Sequence, residues 1–187
     1  ARLRELHLLA ADSLKELFGD DKSLSRLEQY SYHFGIGHNI VSENTEIVVT
    51  HDDIQNIEHK KNIEQYLDLQ KNLADEYEKE CRYDETIHKC KMVINISKLL
   101  GNRELEIDYL IKNGKILGHK GVWDKTTELF DEALKIVEVL GDKERISNCN
   151  ATFGEHECFK GNYKKATSFL EKSLKIYQEL NDQEGVG

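Results

Sequence analysis

Proline is missing from the sequence, although a chain of 187 residues would carry about nine at the average usage of about 5%. Because proline breaks helices and is common in turns, its absence favours helices joined by short turns. No run approaches the roughly 20 apolar residues of a membrane span and no signal peptide is recognisable, so we expect no membrane partner. Positive charge is also scarce. The 26 Lys and Arg against 35 Asp and Glu leave a net charge of −9, which argues against nucleic-acid binding.

Residues suited to covalent or metal chemistry are few. The four cysteines form two pairs nine residues apart, Cys81 with Cys90 and Cys149 with Cys158. At about 100° per residue this spacing places two side chains on opposite sides of a helix, so neither pair can bridge within one helix. We expect four reduced thiols in a cytoplasmic protein. None of the eight histidines has zinc-site spacing, and we predict no metal, no cofactor and no enzymatic activity.

A repeat with a period of forty residues runs through the second half of the chain. It aligns segments 81–102, 121–142 and 161–182 without a gap. The last two share eight identical pairs: Gly121/Gly161, Lys125/Lys165, Thr127/Thr167, Leu134/Leu174, Lys135/Lys175, Ile136/Ile176, Leu140/Leu180 and Asp142/Asp182. The apolar positions in each segment have helical spacing, and Gly101, Gly141 and Asn181 predict helix ends.

A second set of helices is predicted between these, at about 63–80, 103–120 and 143–160. We call this set the A helices and the repeated set the B helices. Each A helix carries a small residue at one equivalent position: Ala74, Gly114 and Gly154. Because glycine inside a helix costs about 1 kcal/mol relative to alanine, its recurrence predicts a neighbouring helix too close for a larger side chain.

This pattern resembles tetratricopeptide repeats, in which a small residue in helix A precedes an aromatic-containing turn and a small residue near the start of helix B. The residues that carry the resemblance are Ala74, Gly114, Gly154, Gly121, Trp123, Gly161, Tyr163 and Ala166. The period is forty residues rather than the usual 34, and in this respect the chain is similar to the arrays of signalling ATPases and cortical scaffold proteins. The resemblance implies an all-α, right-handed superhelix of antiparallel helix pairs. It also implies a concave A-helix face that binds peptides or helices.

The chain is predicted to have three parts: an N-terminal helical pair (1–37), a connector (38–58) and the repeats (59–187). The repeats divide at about 59–100, 101–140 and 141–181, with the start of a further repeat at 182–187. The first helix has an apolar stripe, which comprises Leu6, Leu9, Ala10, Leu14, Leu17 and Phe18. The sequence of 1–37 is similar to the helical segment between the ATPase module and the repeats in signalling ATPases. From this we expect a fragment of a larger regulatory protein. The alternative is an ordinary degenerate helical repeat.

The helical pattern disappears between 38 and 53, where the run Ile47-Val48-Val49 alone would favour a short strand. A single strand has no partner elsewhere, so we predict an ordered or mobile connector. Asp52 or Asp53 is expected to cap the helix that follows. An insertion that contacts a partner is the alternative.

Groove-facing positions recur every three or four residues on the A helices. Alignment on the small residues gives the predicted contacts Asp68, Lys71, Asp75, Asp108, Ile111, Lys115, Asn148 and Glu155, with Ala151 between the last two. The alternative is a solvated helix face. Clamping of a C-terminal carboxylate, as in co-chaperone repeats, is disfavoured because Asp75 would repel the ligand.

The predicted function is a non-catalytic module that binds a protein or peptide ligand. Self-association is the main alternative, because helix 164–181 has more apolar residues than its own A helix can cover. An enzyme is a distant third possibility.

Overall fold

The computed structural model describes the backbone of residues 2–18 and 23–184 and the side chains of residues 2–17 and 23–180. The helices in these residues are α1 (Arg2–Phe18), α2 (Leu24–Gly37), α3 (Ile57–Lys79), α4 (Tyr83–Leu100), α5 (Arg103–His119), α6 (Trp123–Leu140), α7 (Lys143–Phe159) and α8 (Tyr163–Glu184). The fold is therefore all-α, as predicted. No helix in the described ranges is long and apolar enough to span a bilayer.

The chain divides into two compact units, Ala1–Asn102 and Arg103–Gly187. In the first unit, α1 packs on α2, α2 on α3, and α3 on α4. In the second unit, α5 packs on α6, α6 on α7, and α7 on α8. The helices α3, α5 and α7 lie at the predicted A positions, and α4, α6 and α8 lie at the predicted B positions.

Residues with a left-handed backbone conformation follow the helices at forty-residue intervals. Gly121 and Gly161, between an A and a B helix, have φ of 74° and 80°, and Cys81 at the equivalent position has φ of 57°. Such angles suit glycine because a Cβ atom would crowd the following carbonyl. Gly101 and Gly141 end α4 and α6 in the same conformation, as predicted.

The repeated small residues mark close helix contacts inside each pair. A Cβ atom on Gly114 would lie 2.7 Å from Phe130 Cδ1, and one on Gly154 would lie 2.7 Å from Leu170 Cγ and 3.2 Å from the Ala166 carbonyl oxygen. The B helix therefore occupies the volume that a side chain on the A helix would need. In the second pair, the hydroxyl of buried Ser147 also donates to the Ser173 carbonyl at 2.9 Å, which fixes α7 against α8.

The contact face of α1 differs from the predicted stripe. Leu6, Leu9 and Leu17 are exposed, and the side chain of Phe18 lies outside the described residues. Among the described side chains of α1, that of Ala11 is the most buried, and Leu8 packs directly on Gly37 of α2. Because α2 meets α1 through this close contact, the packed face of α1 is centred away from Leu6, Leu9 and Leu17.

The connector after α2 belongs to the first unit, and several of its side chains are buried there. Ile40, Val41 and Val49 are buried, and Val41 forms an antiparallel β-bridge with Ile47. The run Ile47-Val48-Val49 thus forms no strand, but Ile47 has a local backbone partner within the connector, which the prediction did not foresee. The side chain of Asn56, rather than Asp52 or Asp53, caps α3 by accepting a hydrogen bond from the His59 amide.

Two carboxylates predicted as caps have other positions. The Asp53 carboxylate accepts hydrogen bonds from the amide and the hydroxyl of Thr50, at 2.8 and 2.9 Å. Asp52 precedes a short 3-10 turn, Asp53–Gln55, which separates it from α3. At the other end of the chain, α8 continues through the turn predicted at Asn181 as far as Glu184. The last three residues, 185–187, lie outside the described residues.

The close contact at Gly154 predicts that Gly154→Leu destabilises the second unit. The new side chain would overlap Leu170 and press on the α8 backbone, at a cost of about 1–3 kcal/mol for overpacking. Thermal unfolding of the variant should show a lower Tm. The control is Ser168→Leu on the exposed face of α8, which should change stability by less than about 0.5 kcal/mol. A Tm for Gly154→Leu at or above that of the parent protein would contradict the close contact.

Candidate functional site

Two adjoining cavities lie between the A helices α5 and α7 of the second unit. The first has a volume of about 370 Å³ and is lined by Ile107, Asp108, Ile111, Asp142, Glu144, Arg145, Asn148, Cys149 and Thr152. The second has a volume of about 590 Å³ and is lined by Lys115, Gly118, His119, Trp123, Phe130, Thr152, Glu155, His156 and Phe159. Because Thr152 lines both, the cavities form one groove along the two helices, and we call it the α5–α7 groove.

The first cavity carries excess negative charge. Arg145 pairs with Asp108 across the groove at 2.7 Å, and it lies 3.7 Å from Asp142 and 4.0 Å from Glu104. Asp142 also caps α7 by accepting a hydrogen bond from the Arg145 amide. Three carboxylates thus lie within 4.0 Å of one guanidinium, and Glu144 adds a fourth negative charge to the lining of the cavity. A cationic group entering this cavity would therefore meet a favourable field.

Cys149 is the thiol of the first cavity, and it is buried. Burial raises the pKa of Cys149 to about 11, because a thiolate loses hydration there, and Arg145 only partly offsets this effect. The side chain is protonated at neutral pH. Since the thiolate is the nucleophilic form, this cysteine contributes an apolar wall rather than a reactive group.

Aromatic side chains form the wall of the second cavity. The His156 ring lies 5.3 Å from Trp123 and 5.1 Å from Phe130, centroid to centroid, and the Phe130 contact is edge-to-face. Phe130 stacks in turn on Phe153 of α7, with centroids 4.4 Å apart. The outer wall is Phe159, the last residue of α7, whose side chain is 83% exposed. An exposed aromatic beside a cavity offers apolar surface to a ligand.

The His156 ring can pack closely on α5 because the α5 residue that it meets, Gly118, has no side chain. A Cβ atom on Gly118 would lie 2.8 Å from His156 Cε1 and 3.0 Å from Nδ1. The imidazole is buried, and its Nε2 atom makes no hydrogen bond. Burial lowers the pKa of His156; the nearby Glu157 opposes this shift and Lys160 adds to it. The ring is therefore neutral at pH 7 and behaves as part of the aromatic wall.

Five of the predicted contact residues line the groove. Asp108, Ile111 and Asn148 lie in the first cavity, and Lys115 and Glu155 lie in the second. Asn148 also accepts a hydrogen bond from the Tyr177 hydroxyl of α8 at 2.8 Å, so its amide is held in place. Ala151 is half-buried on α7.

The other three predicted contacts, on α3, belong to the first unit. Asp68 and Asp75 are exposed, and Lys71 pairs with Asp68 at 3.0 Å. This i,i+3 pair is a common feature of solvated helix faces. The prediction that these residues contact a partner stays a prediction.

The residues predicted as the repeat signature lie in the helix packing or at the starts of B helices. Ala74 is completely buried in α3, and Ala166 is nearly so in α8. Trp123 and Tyr163 each begin a B helix, but only Trp123 lines the groove, whereas Tyr163 is 71% exposed.

Sequence reasoning missed Arg145, His156, Gly118 and Phe159. The forty-residue comparison contains a signal for the first two. The positions equivalent to Arg145 and His156 in α5 are Leu105 and Ile116, so the later repeat has polar groups where the earlier one has aliphatic side chains. A polar residue in an apolar position of a repeat indicates a local role.

A family model described as tetratricopeptide repeat matches residues 106–179, which contain α6, α7 and most of α5 and α8. The match confirms, for residues 106–179, the resemblance to tetratricopeptide repeats seen in the sequence. No curated protein matches the chain. Tetratricopeptide repeats are generally protein–protein interaction modules.

The chain is similar in structure to BtubC (BKLC) from P. vanneervenii, whose crystal structure aligns over 95% of this chain and 73% of that chain. The TM-score is 0.55 and the sequence identity is 14%. At this identity the similarity shows the helical-repeat fold alone.

Within the described part of the chain, no three His, Cys, Asp or Glu side chains lie close enough together to hold a metal ion.

The lowered pKa of His156 predicts that stability falls on acidification. Because the unfolded chain binds a proton with a pKa near 6.5 and the folded ring binds one only at lower pH, acid favours unfolding below about pH 6.5. Urea midpoints at pH 7 and pH 5 should therefore differ less in His156→Gln than in the parent protein. His119→Gln, which alters an exposed histidine of the same groove, is the control. An unchanged pH difference in His156→Gln would contradict the assignment.

Proposed function

We propose that this chain is a non-catalytic protein-interaction module that binds a peptide or a helix in the α5–α7 groove. The observation that carries the proposal is the pair of adjoining cavities on the A helices of the tetratricopeptide segment. Stacked helix pairs form such concave surfaces because each repeat is rotated slightly relative to its neighbour. Phe159 and Lys115 lie on the groove with exposed side chains and are accessible to a ligand.

The shape of the groove favours a polypeptide ligand. Its two cavities have volumes of about 370 and 590 Å³, each large enough for one or two side chains. They follow one another along two helices, so a linear chain can fill both at once. The groove contains a buried, protonated thiol and a neutral, buried imidazole, which suit packing rather than proton transfer.

Selection of random dodecapeptides on the immobilised protein tests this function. We expect bound peptides to lose about tenfold in affinity for Phe159→Ala, because truncating the exposed aromatic wall of the second cavity removes apolar contact with the ligand. Calorimetry or polarisation with a labelled peptide gives the affinity. Val139→Ala is the matched control, since Val139 on α6 is 88% exposed and does not line either cavity.

Both substitutions affect exposed side chains, so thermal unfolding should change by less than about 0.5 kcal/mol. If the Phe159→Ala variant bound all the selected peptides as tightly as the parent protein, the binding surface would lie outside the groove. Failure to select any peptide would contradict the proposed function.

Self-association through α8 is a second candidate, and the repeat itself supports it. Phe130 and Val137 of α6 are buried, and Phe130 packs on α7. Their equivalents one period later, Leu170 and Tyr177, are 39% and 40% exposed, and Leu174 is 59% exposed. The face of α8 that corresponds to the α7-contacting face of α6 thus presents apolar surface to solvent.

If a second copy covers this face, Leu174→Lys should shift the protein toward monomer at a given concentration. A charge in an apolar interface loses hydration without a partner, which weakens association. Light scattering across a concentration series measures the change, and Val139→Lys on exposed α6 surface is the control. A parent protein that stays monomeric throughout the series would exclude this candidate.

A further inference from the structure

The two cavities of the α5–α7 groove differ in chemistry. In the second, the lining groups Lys115 and Glu155 carry opposite charges, and the remaining wall is largely aromatic. In the first, Arg145 is already paired with Asp108, and Glu144 and Asp142 leave the cavity acidic. A ligand that fills both must therefore satisfy two different requirements.

We infer that the ligand of this groove is a peptide with an aromatic or large aliphatic side chain and, about four residues away, a basic side chain. This inference rests on the proposed function and names the partner class for that site. The apolar side chain enters the second cavity against Trp123, Phe130 and Phe159. The basic side chain lies over the carboxylates of the first cavity.

The apolar contact is based on the uncovered surface of Phe159. Its ring is 83% exposed beside a cavity of about 590 Å³, while Phe130 and His156 in the same lining are buried. A side chain inserted into this cavity would bury aromatic surface of its lining, including that of Phe159. Aromatic pairs add a further preference for edge-to-face or offset geometry, of the kind that Phe130 and His156 already show.

The choice of a basic group is based on charge complementarity. Glu104, Asp108 and Asp142 lie within 4.0 Å of the single guanidinium of Arg145. Glu144 adds a fourth carboxylate to the lining, which leaves a net charge of about −3 around this cavity. A carboxylate on the ligand would meet repulsion here, whereas a Lys or Arg side chain would be attracted. Some of these carboxylates also stabilise the N-terminal turns of their helices, but Asp108 lies in the second turn of α5 and faces α7 across the groove.

The four-residue separation follows from helix geometry. On α5 the first cavity is lined by Ile107, Asp108 and Ile111, and the second is lined by Lys115, Gly118 and His119. The two sets are offset by about eight residues, or about 12 Å at 1.5 Å per residue. An extended peptide advances about 3.3 Å per residue, so about four residues span the same distance.

The test uses the fluorescence of Trp123, which is the one tryptophan of the chain and lines the second cavity. The probes are synthetic, tryptophan-free peptides with phenylalanine and arginine four positions apart in a glycine–serine background, in both chain directions. We expect one of them to change the Trp123 emission saturably. Replacing the arginine of that probe by glutamate should weaken binding at least about tenfold, and added salt should reduce the difference.

Charge reversal in the protein provides the matched experiment. Glu144→Lys should lower the affinity for the arginine probe and raise the affinity for the glutamate probe. Glu128→Lys, on exposed α6 surface outside both cavities, should leave the two affinities in their original order. If the glutamate probe binds the parent protein as well as the arginine probe, the inferred ligand is wrong.

Failure of the inference and failure of the proposed function give different results. Selected dodecapeptides that depend on Phe159 but lack the aromatic–basic pattern would overturn the ligand class and leave the groove as the binding site. The absence of any peptide that depends on Phe159 would overturn both. Enrichment of the pattern among the selected dodecapeptides would support both.

Discussion

The packing of a B-helix side chain into a position without a side chain on its A helix is the contact on which the second unit depends. Phe130 occupies this space at Gly114, and Leu170 occupies it at Gly154. A glycine inside a helix is unfavourable by itself, so the helix pair recovers that cost through close packing. Since the two glycines are forty residues apart, the same constraint fixes the register of both pairs.

The groove is a consequence of this register. Phe130, once placed against Gly114, stacks on Phe153 of the next pair and supports the His156 ring. A third glycine, Gly118, lets that ring approach α5. The aromatic wall is thus formed by side chains that also hold the pairs together. The acidic half of the groove is formed by exposed charges at the starts of α5 and α7, which can vary with little effect on packing.

The forty-residue period was sufficient to predict the helix pairs from α3 to α8. The small residues Gly114 and Gly154 were sufficient to predict where the two helices within a pair touch. The face of α1 could not be predicted in this way. Its apolar stripe is real in the sequence, but the contact is decided by Leu8 and Gly37, which belong to a part of the chain without a repeat. The groove was predicted in part. Alignment gave Asp108 and Ile111, whereas Arg145 and His156 depart from the repeat, and their roles depend on partners that only the folded chain brings close.

Packing in each unit mostly joins helices that are neighbours in the sequence. Such contacts close short loops, so little chain entropy is lost before they become favourable, and proteins built in this way fold quickly. During synthesis, α5 and α6 would have all the residues of their mutual contact as soon as Leu140 leaves the ribosome, before α7 emerges. The order in which the helices are translated is then also an order in which they can fold.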